Sequence, residues 1–355
     1  MRLRARLLAM ALAWLSCGIA DATEYRASAY VFGTLARITV VADDPGHAQS
    51  VVARVFREFD RMHRHLHAWQ PGELMALNEA IARGEKDIPT TAEIAGLLAD
   101  ATRLSERSAG LFNPAIGKLV ALWSFHRDRP GGPLPDPAEI ARVVEAHPRM
   151  ADLAVRGVTV SSSNPAVRLD FGGYAKGYAL DRAAAILRGN GIANALVDVG
   201  GNILALGRHG DKSWRIGLED PRAASGPPEL LGTIELADGE AIGTSGDYRR
   251  YYIVGGKRYA HIIDPRSGYP ATGVRSVTVV AHARPGAGAL SDAASKPLFI
   301  AGPSGWRKAA DNLGITQALL VDDEGQLQVT PELARRLQGR DVEAQRRMPL
   351  TAGGS

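Results

Sequence analysis

Apolar and polar residues alternate between positions 25 and 41, which predicts one or two half-buried strands. The period then lengthens. Residues 47–67 place Val51, Val52, Val55, Phe56 and Phe59 on one side of a helix. A second helix is predicted over 92–108, ended by Gly110, and a third over 115–125. A Pro/Gly loop at 130–137 leads into another helix that runs to about Ala146. After Met150 the pattern changes to short strands, at 153–160, 167–170, 195–198 and 203–206, around a single helix at 175–187. Further strands follow at 214–218, 233–236, 250–254, 258–263 and 277–281, and then a helix at 288–301. Strands and helices come in mixed runs without strict alternation. That favours an α+β arrangement over a doubly wound sheet. No tandem repeat of short period is visible.

Composition changes this picture little: 45% hydrophobic and 23% charged residues are ordinary for a globular chain of 355 residues. The formal charge is +4, with no basic stripe interleaved with aromatics, so nucleic acid is not an expected partner. Arg335, Arg336, Arg340, Arg346 and Arg347 read as a solvated helix face and a loose tail.

The N-terminus adds more. Arg2, Arg4 and Arg6 precede an apolar run over 7–20, and Ala20-Asp21-Ala22 fits a cleavage site before Thr23. Residues 1–22 are expected to be an export signal, which makes the mature protein exported and periplasmic. Cleavage leaves a net charge of +2 and removes Cys17, the only cysteine. A mature chain of this kind has no disulfide and no thiolate nucleophile. Lipid attachment at Cys17 is the alternative, ranked second because Trp14 stands where a branched apolar residue is usual. No later segment is long and apolar enough to span a bilayer.

Candidate chemistry centres on residues 169–181, Leu-Asp-Phe-Gly-Gly-Tyr-Ala-Lys-Gly-Tyr-Ala-Leu-Asp. An apolar strand ends on Asp170, Gly172 and Gly173 leave the backbone open, and Lys176 lies in the first turn of a helix. Free amides at a helix start favour an anion such as a phosphate. The competing reading is a tight turn that uses Gly only for backbone freedom. There is no Rossmann fingerprint and no Walker A sequence. His63, His65 and His67 suggest a metal site only superficially: His65 points away from the other two, and a solvated helix end is the expectation. Thr244-Ser245-Gly246-Asp247 with His261 and Asp264 does not make a hydrolase elbow, because Asp247 stands where glycine is needed. Asp292 with Ser295 and Lys296 has the spacing for a shared hard cation; the alternative is a helix cap built on Ser291 and Asp292.

Four further blocks occur in order with 169–181. Residues 111–123 read L-F-N-P-A-I-G-K-L-V-A-L-W, and 195–207 read A-L-V-D-V-G-G-N-I-L-A-L-G. Residues 242–248 read I-G-T-S-G-D-Y, and 259–270 read Y-A-H-I-I-D-P-R-S-G-Y-P. Together they resemble the ApbE family, the FAD:protein FMN transferases, from about Tyr30 to about Gly302.

The resemblance implies a single α+β catalytic domain over 23–338 of two packed lobes, with mixed or antiparallel sheets, flanking helices and an FAD cleft between the lobes. It leaves 339–355 as a flexible tail. It implies that Phe32, Trp69, Leu111, Phe112, Asn113, Asp170, Lys176 and Ile262 line the flavin site, and that His261, Asp292 and Lys296 serve catalysis, His261 or Asp292 as base. It implies magnesium, held by Asp292, Ser295 and the backbone at Gly173. Four positions depart from the family. Phe32 replaces a Met, Asn113 an Asp, Lys296 the Thr that ligates the metal, and Ala260 a frequent second His. Charged Lys cannot ligate magnesium, so either the metal binds without it or its ammonium takes the metal's place. The implied activity is transfer of FMN from FAD to a Ser or Thr hydroxyl of an exported or membrane redox protein carrying a flavinylation motif. Rival readings are FAD hydrolysis to FMN and AMP, a non-catalytic flavin-binding protein, and, more weakly, a structural periplasmic factor for a metalloenzyme.

Overall fold

The computed structural model describes residues 23–222 and 229–339. The expected leader, Cys17, Arg340, Arg346 and Arg347 lie outside the described residues. The chain opens with a hairpin, β1 (Thr23–Val31) and β2 (Thr34–Ala42), where one or two strands were expected. Helix α1 (Pro45–His65) follows, started by the Asp44 carboxylate, which accepts from the amides of Gly46 and His47. Next come α2 (Glu73–Ala82), β3 (Ile88–Pro89), α3 (Ala92–Arg107), α4 (Gly117–Leu122) and α5 (Pro137–Glu145). The middle of the chain holds β4 (Leu153–Arg156), β5 (Thr159–Ser162), α6 (Ala175–Gly189), β6 (Asn194–Val199), β7 (Asn202–Leu206) and β8 (Trp214–Glu219). The last third holds β9 (Leu230–Leu236), β10 (Ala241–Gly246), β11 (Tyr251–Val254), β12 (Lys257–Ala260), β13 (Val274–Ala281), α7 (Ala287–Leu313), β14 (Gln317–Asp322), β15 (Leu327–Val329) and α8 (Pro331–Arg336).

Eight described strands form one sheet in the order β1-β2-β6-β7-β10-β13-β14-β15, antiparallel at every pair. Helices α1, α6 and α7 cover one face; the β8–β9 hairpin and α8 cover the other. Burial on both faces explains why Val277, Val279, Val280 and Ala281 are all apolar in β13, without strict alternation. Val277, Val279 and Ala281 join the helix-side core, while Val280 packs with Trp214, Ile234 and Leu319 on the hairpin side. A smaller cluster of Leu119, Trp123, Phe125, Ile140, Tyr252 and Ile263 joins α4, α5 and the β11–β12 hairpin beside the main body. This is the mixed α+β architecture the sequence implies.

Several local expectations differ. The strand at 153–160 is a hairpin, because Gly157 turns the chain in the left-handed region with φ 59°. Residues 167–170 form no strand. Arg168 makes one isolated parallel bridge to Ile116, and the Asn78 carboxamide satisfies both backbone groups of Leu169, at 2.6 and 2.9 Å. The helix at 115–125 shrinks to the six residues of α4. Helix α7 runs past residue 301, through a break at Gly302 (φ 70°) ahead of Pro303. Helix α2 and strands β10, β14 and β15 were not anticipated. Arg336 is not solvated: it holds both carboxylate oxygens of the buried Glu240 and the side chain of Gln317.

Candidate active site

The site is built where α6 meets α7. The two helices touch at glycines: a Cβ on Gly177 would lie 2.2 Å from the Gly288 carbonyl oxygen and 2.6 Å from the Asp292 Cβ. Only a bare backbone permits this approach. It brings the Gly177 amide to 2.9 Å from Asp292 Oδ2. Asp181, one turn further along α6, reaches across to accept from the amides of Gly288 and Ala289. It therefore caps α7 from outside. Ser291 and Asp292 sit a turn deeper, so the capping alternative for them does not hold.

Asp292 is buried, and Lys296, one turn later, donates to its Oδ1 and also to its carbonyl oxygen at 2.7 Å. Burial pushes the Asp292 carboxyl up, but the Lys176 and Lys296 ammonium groups and the Gly177 amide outweigh it and hold it below the usual range. Burial lowers Lys296 to about 8, against the pull of Asp292. The stem of Lys296 lies on Gly173, where an added Cβ would come 3.3 Å from Cε. Ser295 donates to the Asp292 carbonyl at 2.8 Å and shares a 2.7 Å hydrogen bond with Ser245. Ser245 therefore partners a serine on α7, which agrees with the absence of a hydrolase elbow.

The turn ahead of α6 completes the floor. Asp170 accepts from Trp69 Nε1 at 3.0 Å and from the Gly172 amide at 2.7 Å. Lys176 Nζ lies 3.4 Å from the Gly172 carbonyl oxygen. His261 follows β12, and its Nδ1 is 3.1 Å from the Arg250 carbonyl. A carbonyl only accepts, so Nδ1 carries the hydrogen and Nε2 is the free base. Burial first, then the charges of Lys176, Arg250 and Lys296, push this imidazole down to about 3. Ile262, beside it, is buried.

The remaining expected residues ring this centre less uniformly. Phe32 adopts φ 54° in the β1–β2 turn, with its ring 5.9 Å from Phe59 and 5.8 Å from His63. His63 and His67 pack edge to face, and His65 pairs with Glu73. The three histidines do not converge, and they are half-buried where a solvated end was expected. Among the described residues no three His, Cys, Asp or Glu side chains are placed to hold a metal. Phe112 is buried, and the Asn113 carboxamide bonds the Pro148 carbonyl and the Ala115 amide. Leu111 packs, partly buried, against the main core. Trp69 lies under the Arg168 guanidinium at 4.3 Å and 4.8 Å from the His126 ring, beside an open cavity of about 400 Å³ lined also by Lys118 and Arg142. Sequence reasoning gave Asp181, Arg168 and His126 no part. For Asp181 the available signal was an acid one turn after Gly177, on the same helix face.

Magnesium does not fit this donor set as it stands. It requires about six oxygen ligands near 2.1 Å. Asp292 gives one carboxylate oxygen to an amide and the other to an ammonium, and the Ser295 hydroxyl is bonded on both sides.

The ApbE family model matches residues 32–320. A Rhodobacter capsulatus protein named FAD:protein FMN transferase is 41% identical over 90% of this chain. The chain spans only 59% of that relative's length. A Treponema pallidum protein of the same name is 33% identical over 78% of this chain and 80% of its own. Among solved structures, the ApbE protein of Thermotoga maritima superposes with a TM-score of 0.78 at 29% identity, covering 88% of this chain and 99% of its own. The apo flavinyl transferase ApbE of Pseudomonas stutzeri does so at 0.74 and 26%, covering 89% and 97%.

Proposed function

Because this chain belongs to the ApbE family, we propose that it transfers FMN from FAD to a Ser or Thr hydroxyl of a partner protein and releases AMP. The observation that carries the reading is the Lys296 ammonium on the buried Asp292 with its stem across Gly173, at the same glycine turn where Lys176 lies on the Gly172 carbonyl; the charges of both lysines reach His261. Such a site has positive charge in excess of its own acid and an unprotonated imidazole, whose basicity rises once a bound pyrophosphate offsets the two ammonium groups. A pyrophosphate attacked by a hydroxyl needs both.

The acceptor oxygen attacks the FMN-side phosphorus. The new bond is O–P; the bond that breaks joins that phosphorus to the bridging oxygen, which leaves with its electron pair as part of AMP. The hydroxyl proton passes to His261 Nε2. Lys176 and Lys296 meet the charge that gathers on the phosphate oxygens. Asp292 holds Lys296 in place and is too fully hydrogen-bonded to act as base. Phe32 and Trp69 supply apolar surface for the isoalloxazine ring, with the buried Phe112 and Ile262 as backing. Residues 1–22, with their arginine-led apolar run, support export to the periplasm, where the acceptor is an exported or membrane redox protein.

The test mixes the chain from Thr23 onward with FAD and a small acceptor domain. In-gel flavin fluorescence of the denatured acceptor is read together with AMP. Labelled acceptor with matching AMP is the expected result. AMP released at the same rate without any acceptor would replace transfer by hydrolysis.

A further inference from the structure

We infer that the Lys296 ammonium stands in the position of a divalent cation, so that this chain grips the pyrophosphate of a dinucleotide with a side chain and needs no metal to do so. The inference rests on the reading that the site takes FAD. Its first support is position. Lys296 lies one helical turn after Asp292, on the same face of α7, with its stem across Gly173. The second is occupancy. The ammonium holds the Asp292 carboxylate and the Asp292 carbonyl, two oxygens a cation at this turn would need. The other carboxylate oxygen belongs to the Gly177 amide, and Ser295 is bonded to Asp292 and Ser245.

The third support is what the ammonium has left. It carries three donors, and two are used inside the protein. Lys296 keeps 15% side-chain exposure, so one donor remains for a ligand in the cleft. A dication placed beside it would meet a like charge in a buried setting, where Coulomb terms are weakly screened. A single ammonium is a weaker electrophile than a dication. Lys176, on the Gly172 carbonyl of the same turn, adds a second positive charge that acts on Asp292, Lys296 and His261.

The experiment titrates Mn²⁺ into the chain from Thr23 onward, with and without FAD, and follows free Mn²⁺ by electron paramagnetic resonance. Wild type is expected to leave Mn²⁺ free in both cases, and Lys296→Thr to bind it once FAD is present. Sequestration of Mn²⁺ by wild type with FAD overturns the inference, and that arm needs no variant to fold. In chelator, Lys296→Met is expected to weaken FAD binding by about tenfold or more while riboflavin binding holds, as loss of a charge-assisted contact to phosphate requires. Unchanged FAD affinity in that variant overturns the inference. Tight FAD binding by wild type in chelator, with Mn²⁺ free and no acceptor labelled under any condition, supports the lysine and overturns the transfer reading. No FAD binding at all overturns both.

Discussion

The Asp181 carboxylate accepts the Gly288 amide at 2.8 Å, so an acid in the middle of α6 closes the first turn of α7. The same carboxylate takes the Ala289 amide. Helix α7 starts at a glycine with no side-chain cap of its own. This bond therefore holds the helix that carries Asp292, Ser295 and Lys296 against the one that carries Lys176.

Asp181→Ala is expected to cost about 1–2 kcal/mol, the loss of a helix cap, and to weaken FAD binding as well. The pH dependence has a definite sign. Burial raises this carboxyl to about 6, above its unfolded value, even though the two amides pull it down. The folded state thus holds the proton more tightly, and the stability linked to it is present below the unfolded pKa and lost as pH rises through about 6. Thermal unfolding from pH 4 to pH 7 should show wild type losing ground to Asp181→Asn across that window. A constant gap would mean the carboxyl titrates normally.

Gly177→Ala places a methyl group against the Gly288 carbonyl and the Asp292 Cβ. Forcing the helices apart should cost roughly 1–3 kcal/mol, as other overpacked sites do. FAD affinity should fall too, because the Asp292–Lys296 pair moves with α7. Denaturant unfolding and flavin titration on the same sample check both.

His261→Asn should lower the transfer rate by about 10²- to 10⁴-fold, the usual range for a lost general base, with FAD affinity little changed. The active form is the neutral imidazole, which is lost only as pH falls through about 3. The wild-type rate should therefore show no His261 limb between pH 5 and 7. Removing a neighbouring charge with Lys176→Met should move that limb upward. A wild-type limb near pH 6.5 would show that the imidazole is not held down.

Ser245→Ala should keep transfer activity within a few-fold. Its hydroxyl bonds Ser295 and no histidine, so the expected cost is a stability loss of about 1 kcal/mol for a buried hydrogen bond. A complete loss of FAD turnover with folding intact would reinstate Ser245 as a nucleophile.

Local patterning by itself determined a good part of this protein. The alternation over 25–41, the apolar stripe of α1, the span of α3 and the strand at 277–281 all read correctly, because each depends on which face of one element is buried. The order of five motif blocks pointed to the family, and Lys296 was visible as a departure. Other features are set by partners far away in sequence. Leu169 looked like strand but is paired by Asn78 from α2, 91 residues earlier. Arg336 looked solvated until Glu240 came to meet it. Asp292 reads as metal ligand, cap or base with equal ease until Gly177, 115 residues away, takes one oxygen and Lys296 the other. Periodicity records how each element meets water; which oxygen a given ammonium or amide occupies is decided only when two helices pack closely enough to leave no other donor within reach.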